Sequence, residues 1–409
     1  MDSTTNAHAA RPAPAPALPA LSNRVARIAP FEVMELVKRA NRLQAQGRPI
    51  IHMSIGEPDF SAPEPVIRRL EEVARGGGHG YTPAVGIEAL REAIAGHYQR
   101  HYGVAVDPRR IVVTAGASAA LMLACEALVN PGDEVLLTDP SYPCNRHFVA
   151  AVDGVPKLVP VGPGTRFQMT PALLADNWSA ATKGTLLATP ANPTGTSIPF
   201  DALAGIVAET RARGGFAIVD EIYLDLSYGL AGDAAPARTA LELGDDVIVT
   251  NSFSKYFNMT GWRLGWMVVP AGLTPVFEKL AQNLFICPSA LAQQAALACF
   301  SPEAGEIYAQ RKASFRARRD RFVPALKALG LDVPAYPDGA FYAWVDCSST
   351  GMGSTAFADR LLEEADVCVV PGTDFGRHER DRYVRMSYAT GVDQLDEAIE
   401  RIGRFLHTR

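Results

Sequence analysis

Residues 246–269 read DVIVTNSFSKYFNMTGWRLGWMVV, and the fold turns on how this stretch divides. Two apolar runs, residues 247–250 and 264–269, are short, partly β-branched and bounded by polar residues or glycine, as buried strands are. Between them lies a loop carrying Ser252, Ser254, Lys255 and Arg263. A lysine at the end of a buried strand is costly unless its neutral amine or a covalent bond to it is used. Burial lowers a lysine pKa and leaves an amine able to form a Schiff base. Two hydroxyls and a planar guanidinium on the same loop suit a phosphate. Together these groups suggest an aldehyde cofactor with a phosphate handle, namely pyridoxal phosphate.

Taken alone, a lysine in a strand-to-strand loop is a structural or solvated residue. Residues 252–255 also fit the S-x-x-K pattern of serine β-lactamases. That reading needs companion S-D-N and K-T-G tripeptides, and neither occurs in the chain. The decision therefore passes to the flanking sequence.

On both sides, strands alternate with helices. Residues 111–114, 134–138, 157–161, 185–189 and 216–220 read as strands, with helices such as residues 119–129 and 200–211 between them. This alternation predicts an α/β fold with a mainly parallel sheet covered on both faces. In such sheets ligands sit beyond the carboxyl ends of the strands. The polar residues that stand out are at those ends: Asp139 to Tyr142, Asn192 to Gly195, and Asp220 to Tyr223. After residues 111–114, Gly116, Ala117 and Ser118 open a helix, a geometry whose free N–H groups and dipole favour phosphate.

Further out, residues 31–46 carry apolar residues at helical spacing and stop at Gly47. A short strand at residues 50–55 leads into a Gly56–Pro58 turn, where backbone can approach a ligand closely. At the other end, residues 340–345, 367–370 and 383–387 read as strands, and Arg385 stands in the last of them. An arginine there is either half-exposed with its stem packed or turned toward a carboxylate. His97 and His101 lie four apart on a helix over residues 86–100, a spacing able to ligate zinc. No third ligand or H-E-x-x-H glutamate accompanies them, so they are expected to form a solvent-facing pair.

Composition excludes several classes. The 409 residues are 48% hydrophobic, with a net charge of −5, which leaves no basic footprint for nucleic acid. No apolar run reaches the length needed to span a bilayer. Six scattered cysteines without metal-type spacing point to reduced thiols in a cytoplasmic protein. Residues 1–20, rich in Ala and Pro, lack a secretory apolar core and are expected to form a flexible arm.

Nine stretches in order then carry a resemblance: SIGEPDF (54–60), GYTPAVGIEALR (80–91), NPGDEV (130–135), DPSYP (139–143), NPTG (192–195), DEIY (220–223), SFSKYFNMTGWRLG (252–265), PDGAFY (337–342) and YVRMSY (383–388). From about residue 24 onward the chain resembles the class I/II aminotransferases of the fold-type I pyridoxal-phosphate enzymes. The resemblance implies a three-layer αβα large domain with a mainly parallel seven-stranded sheet, over residues 61–300. It also implies a smaller α+β domain built from both chain ends, residues 24–60 and 301–409, behind an arm of residues 1–23.

The resemblance also implies roles. Lys255 would hold the cofactor as an internal aldimine and then move the proton of the substrate. Asp220 would pair with the pyridine nitrogen, and Asn192 and Tyr223 with the phenolic oxygen. Tyr142 would stack on the ring. The phosphate would rest on Ala117, Ser118, Ser252, Ser254 and Arg263, with Tyr81 reaching it from a second subunit, hence a homodimer with shared active sites. The family often carries a longer polar residue near Ser118, so binding there should rely mostly on backbone. Arg385, with Gly56 and Asn192, would clamp the substrate carboxylate.

The implied reaction is a ping-pong transfer of an amino group from an L-amino acid to a 2-oxo acid, with no metal. The same frame hosts carbon–sulfur β-lyases, so fold and cofactor leave that alternative open. A non-enzymatic regulator with an aminotransferase-like domain would need a helix-turn-helix module where only the short Ala/Pro-rich arm stands. No motif places a second arginine for a distal carboxylate. Phe31, Phe60, Phe285 and Phe341 are candidate pocket aromatics, leaning toward apolar or aromatic donors.

Overall fold

A computed structural model describes residues 19–30, 32–229 and 236–407. Most of the expected arm and Phe31 lie outside the described residues. Seven strands form the main sheet: β2 (Ile111–Thr114), β3 (Glu134–Asp139), β4 (Val155–Pro160), β5 (Thr182–Ala188), β6 (Phe216–Asp220), β7 (Ile248–Ser252) and β8 (Gly265–Val268). Their order is β2-β8-β7-β6-β5-β3-β4. Only β8 runs against its neighbours, pairing antiparallel with β2 and β7. The two runs flanking Lys255 are therefore adjacent strands, and their loop projects from one end of the sheet.

Alternation along each strand makes the layers. Ile111, Val113, Leu136, Val219, Val249 and Trp266 face one buried core with Leu90, Ile94 and Tyr98 of the helix Glu88–Tyr102. Val112, Val135, Leu137, Ile218, Ile248 and Met267 face another, against Ala120, Leu121 and Ala124 of the helix Ala117–Leu128. Both faces of the sheet are dry, which is why these strands read as continuous apolar runs.

The chain ends meet in smaller sheets. β1 (Ile51–His52) pairs in parallel with β10 (Val367–Cys368). β9 (Tyr342–Asp346), β11 (Val370–Pro371) and β12 (Tyr383–Ser387) form an antiparallel sheet in the order β11-β12-β9. The run expected as one strand over residues 367–370 is thus two short strands in different sheets. A third core joins Ile51 and Met53 to Phe322, Phe341, Val384 and the helix Val392–His407, and it takes in Tyr223 and Leu226 from the turn after β6. Among the described residues, no helix is long and apolar enough to cross a membrane.

One local expectation changes. His97 is only 3% exposed, not solvent-facing. Its face of the helix packs on the turn after β6, where its Nε2 lies 3.1 Å from the Asp225 carboxylate. Tyr102 donates to the same oxygen at 2.7 Å. Burial raises the Asp225 pKa, but these partners overcome it and hold the carboxyl at about 2. A buried imidazole is tolerated because it has a partner from outside its own helix.

Candidate active site

The carboxyl ends of β5, β6 and β7 open into a cavity of about 630 Å³. Lys255 lies three residues beyond β7. Its loop is fixed by Phe253 and Phe257, both fully buried, with Phe253 5.0 Å from Trp266 and from Phe257 between ring centroids. The half-buried Lys255 lines the cavity and donates from Nζ to the Gly56 carbonyl. Burial lowers its pKa from the ordinary 10.5 to about 8; Arg385 and Arg263 push the same way, against Glu57 and Asp220.

Asp220 closes β6 and is buried. Its Oδ1 accepts from Thr250 Oγ1 at 3.1 Å and from the Ile222 N–H at 3.3 Å. Burial raises its pKa to about 6, while those bonds and the Lys255 charge pull it down. A cationic partner in the cavity would return it to the anion. Tyr223, three residues on, shares a 2.8 Å hydrogen bond with the Tyr342 hydroxyl, and burial pushes its phenol well above the ordinary value. Tyr142 and Asn192 line the same cavity.

At one end of the cavity the donors change character. Gly116 has φ +83° and caps the helix Ala117–Leu128. A Cβ at Gly116 would lie 2.6 Å from Nη2 of Arg263, so only glycine lets the guanidinium in. Arg263 itself holds φ +53°, a conformation uncommon for a side-chain-bearing residue and enriched at functional sites. Its Nη1 lies 3.4 Å from Ser254 Oγ, and the Ser252 hydroxyl donates to Ser254 Oγ at 2.9 Å. Ala117, Ser118, Ser252, Ser254 and Arg263 thus meet round one small space. Helix N-terminus, two hydroxyls and guanidinium make an anion cradle.

The cavity holds a third cation beside Lys255 and Arg263. Arg385 on β12 is 2% exposed, which rules out the half-exposed reading of it. Its Nη1 donates to Asn192 Oδ1 at 3.0 Å and its Nη2 to the Ser54 carbonyl at 2.5 Å. The guanidinium lies over the Tyr342 ring, 4.6 Å from its centroid. A Cβ at Gly56 would come within 3.3 Å of the Tyr342 hydroxyl, so the backbone passes the site closely. Lys255 and Arg385 are tied to the same short segment, one through Gly56 and the other through Ser54.

Of the residues singled out for cofactor and substrate, all but Tyr81 gather here, and none of the described candidate phenylalanines lines the cavity. Tyr81 is 85% exposed and lies apart from the cavity. Phe60 instead packs on Phe315 and the Arg311 and Arg318 guanidiniums, Phe285 is exposed, and Phe341 is buried in the core of the small sheets. The remaining wall is mixed: Val33, Met34 and Val37 from the helix Glu32–Ala45 make an aliphatic patch with Ile55, Leu121 and Ile222, and Asn41, His52, Glu57 and Thr260 are its polar part. Sequence reasoning missed this wall and Tyr342. The tyrosine sits in the quoted PDGAFY stretch, whereas nothing in an amphipathic helix says which face meets a ligand.

The family profile described as "Aminotransferase class I and II" matches residues 48–402. The chain is 38% identical over 382 residues to a valine–pyruvate aminotransferase of Mycobacterium tuberculosis, covering 93% of this chain and 97% of that protein. It superposes on a crystal structure of an aminotransferase from Mycobacterium tuberculosis with a TM-score of 0.92 at 37% identity, covering 96% of this chain and all of that one. It also superposes on an aspartate aminotransferase from Thermus thermophilus with maleate, at a TM-score of 0.88 and 31% identity, covering 95% and 100%.

Proposed function

The chain belongs to the class I and II aminotransferases, enzymes that move an amino group from an amino acid to a 2-oxo acid, and from that premise we propose that pyridoxal phosphate occupies the cavity. The residues fit that group. Lys255 offers a nucleophilic amine, Asp220 a buried carboxyl for a ring nitrogen, and the Gly116–Arg263 cradle a seat for a dianionic phosphate. When bound, the cofactor supplies a conjugated ring able to accept the electron pair of a broken Cα–H bond.

The chain's own residues do the rest. Lys255 would anchor the cofactor covalently and, as a free amine, would take the proton from the substrate Cα and deliver it to the cofactor's former aldehyde carbon. Asp220 keeps the ring nitrogen protonated. Asn192 and Tyr223 bond the phenolic oxygen, with Tyr342 fixing the Tyr223 hydroxyl. Tyr142 holds the ring plane. Ala117, Ser118, Ser252, Ser254 and Arg263 hold the phosphate, and Tyr81, exposed in one protomer, completes it across a homodimer. Arg385, with Asn192 and the Gly56 N–H, binds the α-carboxylate in two-pronged fashion. The reading rests above all on one observation: Lys255 and Arg385 line one cavity and both bond the segment of residues 54–56.

The aliphatic patch and the valine–pyruvate relative favour valine-like donors. The division at residues 23, 60 and 300 belongs to the same proposal, supported by the separate buried core of the chain ends. Six free cysteines support a reducing cytoplasm.

A stoichiometric half-reaction tests this. Purified enzyme mixed with L-valine and no acceptor should release one equivalent of the branched 2-oxo acid per protomer and then stop until pyruvate is added. Continuous pyruvate and ammonia from a cysteine conjugate, with no such stoichiometric burst, would establish a β-lyase instead. Sedimentation of the same sample should give a dimer.

A further inference from the structure

We propose that His97, His101 and Asp225 form a binding site for one divalent transition-metal ion of the zinc class, apart from the cofactor cavity. The two histidines lie four residues apart on the helix Glu88–Tyr102, which puts both imidazoles on one face. Their rings are 4.3 Å apart between centroids. Asp225 comes from a different element, the turn after β6, and brings the third ligand that the helix lacks. One donor atom from each residue lies within 4.8 Å of the others. Ligand atoms about 2 Å from a tetrahedral ion stand about 3.3 Å apart, so the set closes on a metal with small side-chain shifts.

The set is nitrogen and carboxylate oxygen, the mixture zinc and cobalt accept, with none of the thiolates that would favour softer ions. His97 Nε2 lies 3.1 and 3.3 Å from the two Asp225 oxygens, so an ion between them replaces a proton there, which moves to Nδ1 or leaves. Tyr102 bonds the same carboxylate and holds it in place, as outer partners of metal ligands do. His101 is exposed while the other two ligands are buried, which gives the ion an entry path and leaves a position for water. Lys312, from the helix Pro302–Ala328, acts on Asp225, and Arg100 and Lys312 both act on His101, so an ion here shares the site with cationic neighbours. A bound ion would tie the helix Glu88–Tyr102 to the turn that follows Asp220.

Untagged holoenzyme dialysed against Co²⁺ tests the site. Expected are one equivalent of bound cobalt, visible d–d absorption without a thiolate charge-transfer band, and a higher melting temperature. His101→Ala, at an exposed position that leaves the core intact, should weaken binding about tenfold or more and abolish the thermal shift. Asp225→Asn should do the same where it folds. Absence of stoichiometric cobalt in the wild type overturns the proposal. So does equal binding in His101→Ala, which would assign the ion elsewhere and leave His97–Asp225 a structural hydrogen-bonded pair.

Discussion

The floor of the cavity comes from neighbouring strand ends of one sheet. Asp220 closes β6, Ser252 closes β7 and Lys255 follows three residues later. The roof is assembled from segments far apart in the chain: Arg385 bonds the Ser54 carbonyl across 331 positions and Asn192 across 193. A floor of this kind is fixed as soon as the sheet forms, because the strand register places every group. The roof exists only when β1 has paired with β10 and β12 with β9. On the proposed function, cofactor chemistry falls to the rigid part, and substrate recognition to the part that depends on the chain ends docking.

Removing the central floor residue should have the largest effect. Lys255→Met deletes the amine but keeps an unbranched stem, and kcat is expected to fall on the order of 10⁴-fold, since both the anchor and the general base are lost. The roof should still bind a carboxylate, so a 2-oxo acid ought to protect the variant from thermal unfolding. If the variant turned over at a tenth of the wild-type rate, the floor would not be where the chemistry resides.

The same variant probes electrostatics in the cofactor-free protein. Burial holds Lys255 near a pKa of about 8 rather than 10.5. The unfolded chain binds more protons between these values, so the penalty of burying the lysine is fully present below pH 8 and lost as pH rises to 10.5. Lys255→Met should therefore be more stable than wild type at pH 7, with an advantage that shrinks to nothing by about pH 10.5. Paired thermal melts across that range would show it. A constant advantage would mean the gain is packing rather than charge.

Arg385 offers the corresponding break in the roof. Arg385→Leu removes two charge-assisted bonds to a substrate carboxylate, and kcat/KM should fall about 10²- to 10³-fold. Cofactor retention, followed by its absorbance through gel filtration, should be unchanged. Loss of cofactor along with activity would show that roof and floor are not separable, contrary to the comparison.

How far the sequence disclosed each part follows the same division. The floor was legible because its groups sit within a few residues of a strand end and β-branched runs announce the strands. Lys255, Asp220 and Ser252 could be placed at strand ends from local sequence, while their roles came only from the rest of the chain. The smaller sheets were harder, since β1, β10 and β11 are two residues each and carry no periodicity. Arg385 was ambiguous because its burial depends on Ser54, Asn192 and Tyr342 arriving from elsewhere. His97 was misread for that reason too: the helix gives its face, but only the fold supplies Asp225.

The smallest expected effect concerns the aliphatic patch of the wall, the feature that sequence did not reveal. Val37 is half-buried on the helix Glu32–Ala45 and lines the cavity beside Val33 and Met34. Val37→Ala removes two methyl groups from that wall, of which only the part touching substrate bears on binding. A loss of about 1 kcal/mol, several-fold in kcat/KM, is expected for valine. Alanine, whose side chain ends short of the wall, should keep its rate. Specificity constants for the two donors, measured side by side, separate recognition from general damage. An equal fall for both would mean the helix only supports the roof, and a preference for apolar donors would have to come from elsewhere in the site.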